Sequence, residues 1–234
     1  VASIYGYELI IVDGQGNPVT DNYDINALYG TYRIKKRPIQ VKFNNTTKEY
    51  DGTNLFIPNL EDILLTGHLE GHQLAQWHVY SQDSHWGVNK TIVDFSLNIV
   101  DEQGQDVTGN YDITAEFGTF AITKRKLVII IKDSDKVYDG TNLFEPDQVR
   151  IDYEDETGLV SGHTLRIWLY ATDHNAGLWN VDGYQLIILD GAHDVTQNYE
   201  LVNIVYHTAT LTIHKRPIQV KINHDSKIYD GTNR

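Results

Sequence analysis

Four sets of side chains in this sequence have the types and spacing to do chemistry. His68 and His72 stand four residues apart, as zinc ligands on a helix do, with His78 and His85 nearby. Only His72 has a later counterpart, His163, and its surroundings read as strand and loop, so an ordinary surface or structural role is expected for these histidines. The loops DGQGNPVTDNYD from Asp13, DEQGQDVTGNYD from Asp101 and DGAHDVTQNYE from Asp190 gather the oxygen ligands that Ca²⁺ takes. In the middle loop the candidate ligands are Asp101, Asp106 and Asp112. No copy has the full EF-hand spacing, and Asp, Asn and Gly also dominate ordinary turns, so calcium is the secondary reading and no cofactor or metal site is expected. Trp86 in DSHWGVN and Trp179 in NAGLWNV lie in polar stretches beside Gly87 and Gly177. Indoles in loops can stack on sugar rings, which makes these two the candidate ligand-binding residues. They can equally plug the end of a module. A buried Lys beside an Asn and a carboxylate can form a covalent cross-link, but every strand offers candidates and none stands out. No Gly-x-Ser-x-Gly, His-Glu-x-x-His or phosphate-cradling Gly loop is present, so neither catalytic residues nor an enzyme activity is expected.

The elements that carry these residues recur. KEYDGTN, KVYDGTN and KIYDGTN place a Tyr at 50, 138 and 229, spaced 88 and 91. NYDI, NYDI and NYEL start at Asn22, Asn110 and Asn198, spaced 88 and 88. KRPIQVK from Lys36 returns from Lys215, with KRKLVII from Lys124 between them. Three ordered markers at one period define an array of modules of about 90 residues. Residues 37–124 and 125–215 read as complete repeats, residues 1–36 as the C-terminal part of a preceding repeat and residues 216–234 as the N-terminal part of a following one. Trp77 and Trp168 fall at matching positions and are expected in the core.

Each repeat reads as strands. IQVKF at 39–43 and IQVKI at 218–222 alternate apolar and polar residues, and LVIII at 127–131 is the fully apolar version. YELIIVD, FSLNIVD and YQLIILD fill a second slot, and GTYRI, GTFAI and TATLTI a third. NLEDILL at 59–65 has a helical look, but its counterpart DQVRIDY alternates on a two-residue period, so both are read as strand. Many short strands bounded by turns predict an all-β fold of tandem immunoglobulin-like β-sandwich modules, with β-grasp-like modules as the alternative. No flexible linker separates the repeats, which predicts an elongated, stiff rod. The turn itself reads as architecture: Asp-Gly supplies positive φ, and the Tyr buries its ring while its hydroxyl stays bonded.

Nineteen basic against 32 acidic residues give a net charge of −13, which argues against a nucleic-acid partner and against an anionic membrane surface. No apolar run spans a bilayer, so no membrane insertion is expected of this stretch. There is no Cys and no Met, which removes disulfides and thiolate sites and leaves little to oxidise. With no starting Met or signal peptide, the stretch is expected to be a piece of a longer protein.

Taken in order, Lys-Arg-Pro with an alternating strand, K-x-Y-D-G-T, a Gly-His-x-Leu step, NYxI and GTxxI resemble the YDG/MBG-type repeats of bacterial surface adhesins. The resemblance covers essentially the whole chain. It departs at Arg125 and Lys126, where Lys replaces Pro, and at His207 and Thr208, where the Gly of the Gly-Thr step is lost. It implies immunoglobulin-like modules in a secreted or wall-anchored protein at the bacterial cell surface. There they would serve as an extended stalk, with possible multivalent attachment to mucin or another host or matrix glycoprotein or polysaccharide. The other implied partners are the neighbouring repeats of the same chain. The alternative is a dedicated glycan- or mucin-binding, lectin-like module. The resemblance brings no catalytic residues.

Overall fold

The structure, a computed structural model, describes residues 6–154, 158–206 and 208–232; His207 and Asn233, named above, lie outside the described residues. The chain is mostly β-strand, in several sheets. The first complete repeat contributes β1 (Arg37–Phe43), β2 (Thr46–Glu49), β3 (Leu55–Phe56), β4 (Ile63–Thr66), β5 (Gln73–Ser81), β6 (Ile92–Val100), β7 (Tyr111–Phe117) and β8 (Phe120–Thr123). The second contributes β9 (Arg125–Ile131), β10 (Ser134–Val137), β11 (Leu143–Phe144), β12 (Ile151–Tyr153), β13 (His163–Ala171), β14 (Gly177–Trp179), β15 (Val181–Asp190), β16 (His193–Asp194), β17 (Tyr199–Val205) and β18 (Leu211–His214). The only helices among the described residues are three-residue 3₁₀ turns, such as Leu60–Asp62 just before β4. NLEDILL therefore contains both a helical turn and the expected strand.

By its contacts the chain divides into two compact units. The first is Val1–Thr46 with Leu55–Gln82 and Asn89–Phe120; the second is Thr47–Asn54 with Asp83–Val88 and Ala121–Arg234. In the first unit β1 lies between antiparallel β4 and parallel β7, and β5 lies between β3 and β6. The alternation read in IQVKF is the observed burial: Ile39, Val41 and Phe43 point inward, and Gln40 and Lys42 face solvent. Phe43 stacks on Phe117 at 5.5 Å, and Phe56 meets Phe120 edge-on at 5.1 Å, so aromatic rings fill this core. In the second unit β9 lies between β12 and β17, β13 between β11 and β15, and β18 between β10 and β14. The run LVIII is buried almost throughout, as an unbroken apolar strand should be when both faces are covered.

The partial repeats behave differently. Tyr7, Leu9 and Ile10 match residues of β6, yet among the described residues 6–36 hold one β-bridge, Val12 to Pro18, and one 3₁₀ turn, Thr20–Asn22. Residues 216–232 carry no strand. Tyr23, Ile218, Val220 and Tyr229 are exposed, whereas their counterparts Tyr111, Ile39, Val41 and Tyr50 are buried. A strand fixes backbone entropy that ladder bonds and face packing must repay, and here the pairing strands have no counterpart among these residues.

Candidate functional site

The repeated turn is locked by its own lysine. Lys136 Nζ donates to Asp139 Oδ1 at 2.8 Å, to Thr141 Oγ1 at 2.9 Å and to the Leu143 carbonyl at 2.6 Å, so its three donors have three acceptors. The ammonium also lies 5.3 Å from the centroid of the Phe144 ring. Asp139 Oδ1 accepts the Thr141 N–H as well, which closes the turn over the ammonium. Lys48 makes the same contacts with Asp51 and Thr53, and Lys227 with Asp230 and Thr232. Lysine side-chain exposure runs 0% at Lys136, 16% at Lys48 and 42% at Lys227. The glycine follows from the backbone: φ is +83° at Gly52 and +88° at Gly140. A Cβ on Gly140 would meet nothing, so Gly140→Val tests the backbone alone. It is expected to destabilise the second unit by about 1–3 kcal/mol in urea denaturation. An unchanged midpoint would remove the conformational role of the glycine.

A second repeated device joins tyrosine to histidine. The Tyr111 hydroxyl accepts from the Leu69 N–H at 3.2 Å and donates to His72 Nδ1 at 2.6 Å. The Tyr199 hydroxyl does the same with the Val160 N–H at 3.0 Å and His163 Nδ1 at 2.8 Å. The paired Gly-His and Asn-Tyr markers are thus one contact, which puts the proton of each imidazole on Nε2. His72 is engaged in this way and not poised beside His68 for zinc. Among the described residues no group of three His, Asp or Glu side chains is arranged to hold a metal ion.

The acidic loops use their carboxylates on their own backbone. Asp13 Oδ1 accepts the N–H of Gln15 and Asn17, and Asp101 Oδ1 accepts those of Gln103 and Gln105. Asp106 and Asp194 accept the N–H of Thr108 and Thr196, which hold the Asp106 and Asp194 carboxyls below the usual carboxylate range. Thr20, Thr108 and Thr196 in turn accept the N–H of Ile11, Ile99 and Ile188, each at 2.8 Å. Asp and Thr recur in these loops as turn-forming side chains.

Within the second unit the turn of Thr47–Asn54 is seated on the step from Asn198 to Tyr199. The Tyr50 ring is buried, 5.7 Å from Tyr199 at 76° and 6.0 Å from His163. Asn198 is fully buried; it accepts the Trp86 N–H at 3.0 Å, faces His85 Nδ1 at 3.1 Å and hydrogen-bonds Tyr50. Burial raises the Tyr50 hydroxyl above its ordinary pKa. Beside this hub lies a cavity of about 370 Å³ lined by Tyr50, Ser84, His85, Asp190, His193 and Asp194, among others.

The candidate tryptophans sit in different settings. Trp86 is exposed, and one face of its ring carries the Lys124 ammonium 4.5 Å from the centroid. Trp179 is half-buried on β14, its indole N–H donating to the Asn175 carbonyl at 2.7 Å and its ring lying against Gly177. Gly87 bridges Ile122 as Gly177 pairs Ile213, so Trp86 corresponds to Ala176 and the two indoles are not equivalent. They are not brought together.

Trp77 and Trp168 require a correction. Neither is a core residue; both are half-buried, their indole N–H groups donating to the Pro58 carbonyl and the Glu145 carboxylate. Nor do they share a slot. Phe56 pairs Val79 and Phe144 pairs Leu169, which aligns Trp77 with Ile167 and His78 with Trp168. The register shift between Leu74 and Gln76 leaves Ala75 as an extra residue, and one extra residue turns every later side chain to the other face.

Compared with known proteins, the chain matches no family model, no curated protein and no solved structure. No helix among the described residues is long and apolar enough to cross a membrane.

Proposed function

We propose that this chain is a run of tandem immunoglobulin-type β repeats from a bacterial cell-surface adhesin, working outside the cell as an extended stalk and adding weak, multiplied attachment to mucin or a matrix glycan. The observation that carries the reading is how the repeated residues are used. Lys, Asp, Gly and Thr of each turn, the Tyr–His pair and the Asp–Thr loops all bond to their own fold, and none is left aimed at a substrate. Residues repeated for folding suit a spacer, and repetition turns weak contacts into avidity. An immunoglobulin-type module suits the topology better than a β-grasp one, since no α-helix crosses a sheet among the described residues.

A second reading, a glycan-binding module, is favoured by one observation: the exposed Trp86 follows His85 on a cavity whose carboxylates, imidazoles and tyrosine suit sugar hydroxyls and a ring face. Trp86→Ala separates the two readings better than a double variant, because Trp179 is tied into β14. The stalk reading expects a stability change within about 0.5 kcal/mol and unchanged retention of the full chain on immobilised mucin. Lost retention with the melting profile intact would replace it with the lectin reading.

A further inference from the structure

The seat that holds the Thr47–Asn54 turn exists a second time, unfilled. Asn110, Tyr111, His72 and Leu69 in the first unit match Asn198, Tyr199, His163 and Val160 in the second, and the Tyr–His and Tyr–backbone bonds are the same. The difference is cover. Asn198 is fully buried beneath Tyr50, His85 and Trp86, whereas Asn110 and Leu69 are exposed. The chain also holds a matching plug. In the third turn, residues 227–232, Lys227 already bonds Asp230 at 2.9 Å and Thr232 at 2.7 Å, and Asp230 caps the Thr232 N–H. Its Ile228 and Tyr229 are 94% and 89% exposed.

We propose that the third turn of one molecule seats on the Asn110, Tyr111 and His72 end of a second copy of this chain, with Tyr229 taking the place that Tyr50 takes on Tyr199. Both surfaces are preformed, so little ordering opposes the contact. They lie at different sites on the chain, so the contact is heterologous and propagates head to tail. It is also small, because residues 216–234 hold no counterpart of His85 and Trp86, and a weak association is expected. One further difference supplies a handle. In the filled seat Glu49 pairs with Arg125 at 3.1 Å while Arg125 Nε donates to the Gly158 carbonyl. Arg37 makes the matching bond to Gly67, but the residue matching Glu49 is Ile228. Ile228→Glu restores the missing charge opposite Arg37.

The test uses the full chain. Sedimentation velocity from roughly 10 µM to 1 mM is expected to show concentration-dependent association. Tyr229→Ala should weaken it about tenfold, and Ile228→Glu should strengthen it about two- to fivefold in a salt-sensitive way. Both positions are exposed, so melting profiles should stay unchanged. With benzoylphenylalanine at position 229 of an isotope-labelled chain mixed with unlabelled chain, adducts should fall on residues 66–72 or 110–112 of the other isotope. A monomer throughout that range, equal association by Tyr229→Ala, or adducts within one chain or elsewhere on the surface would each overturn the proposal.

Discussion

Replacing Lys136 with Met is expected to destabilise the second unit by about 2–4 kcal/mol, while Lys227→Met leaves stability nearly unchanged. Methionine keeps the apolar stem of the lysine, so packing changes little and the loss reports on the ammonium. Lys136 is fully enclosed, and its removal leaves the Leu143 carbonyl and the Thr141 hydroxyl each without a partner they had. Lys227 makes two of the same bonds with its side chain 42% exposed, where water replaces whatever the protein gives up. Lys48, 16% exposed, should fall between them. Urea denaturation of the three variants, with hydrogen exchange to localise the change, orders them. Equal effects at Lys136 and Lys227 would mean that burial does not set the value of the lock.

The same lock gives a pH dependence of known sign. The Lys136 ammonium and then the Thr141 N–H hold Asp139 down from 3.8 to about 2. A carboxyl whose folded pKa lies below its unfolded one contributes stability that is complete above the unfolded value and disappears as pH falls through the folded one. That contribution is therefore expected to fade between about pH 4 and pH 2, and the Lys136→Met variant should show a shallower loss over the same window.

Much of this architecture is legible in the sequence because it depends on local chemistry repeated at fixed intervals. Alternation in IQVKF gives the buried face of β1, and the unbroken apolar run LVIII gives a strand covered on both faces. Asp-Gly marks the positive φ at Gly52 and Gly140. What escapes the sequence is whatever depends on one residue of register or on distant partners. Ala75 looks like any strand residue, yet as a bulge it separates Trp77 from Trp168, which a ruler laid along the chain aligns. Trp86 attracts notice for its ring, whereas the structure spends its backbone N–H on an asparagine 112 residues away. The marker NYEL reads as a turn followed by a strand; that its Asn is a buried hub is set by segments far off in the chain. The signal that was available is the pairing of markers, since a Gly-His step and an Asn-Tyr step that always occur together invite the contact that Tyr199 and His163 make.

Asn198→Leu is expected to destabilise the second unit by about 2–4 kcal/mol, and Asn110→Leu, at the matching position of the preceding repeat, to stay within about 0.5 kcal/mol. Leucine nearly matches asparagine in shape, so the variant removes polarity with little change of volume. At position 198 that polarity is fully used. The side-chain oxygen accepts the Trp86 N–H at 3.0 Å, and the amide nitrogen faces His85 Nδ1 at 3.1 Å while the side chain also bonds Tyr50. The site excludes water, so each abandoned partner bears a desolvation cost that no solvent bond offsets. At position 110 the side chain is exposed and water takes over whatever the leucine no longer provides. Asn198→Asp divides the effect: its carboxylate still accepts from Trp86, but it has no N–H to offer Tyr50 or His85, and it brings a charge near Asp190. Its loss should be at least as large as that of the leucine variant. Amide exchange supplies the second readout, because freeing Asn198 from the Trp86 N–H should speed exchange at Trp86 and through Thr47–Asn54, and leave β1 and β7 unaffected. If Asn198→Leu and Asn110→Leu cost the same, the buried asparagine is not what seats the turn, and ring packing of Tyr50 on Tyr199 carries the contact alone.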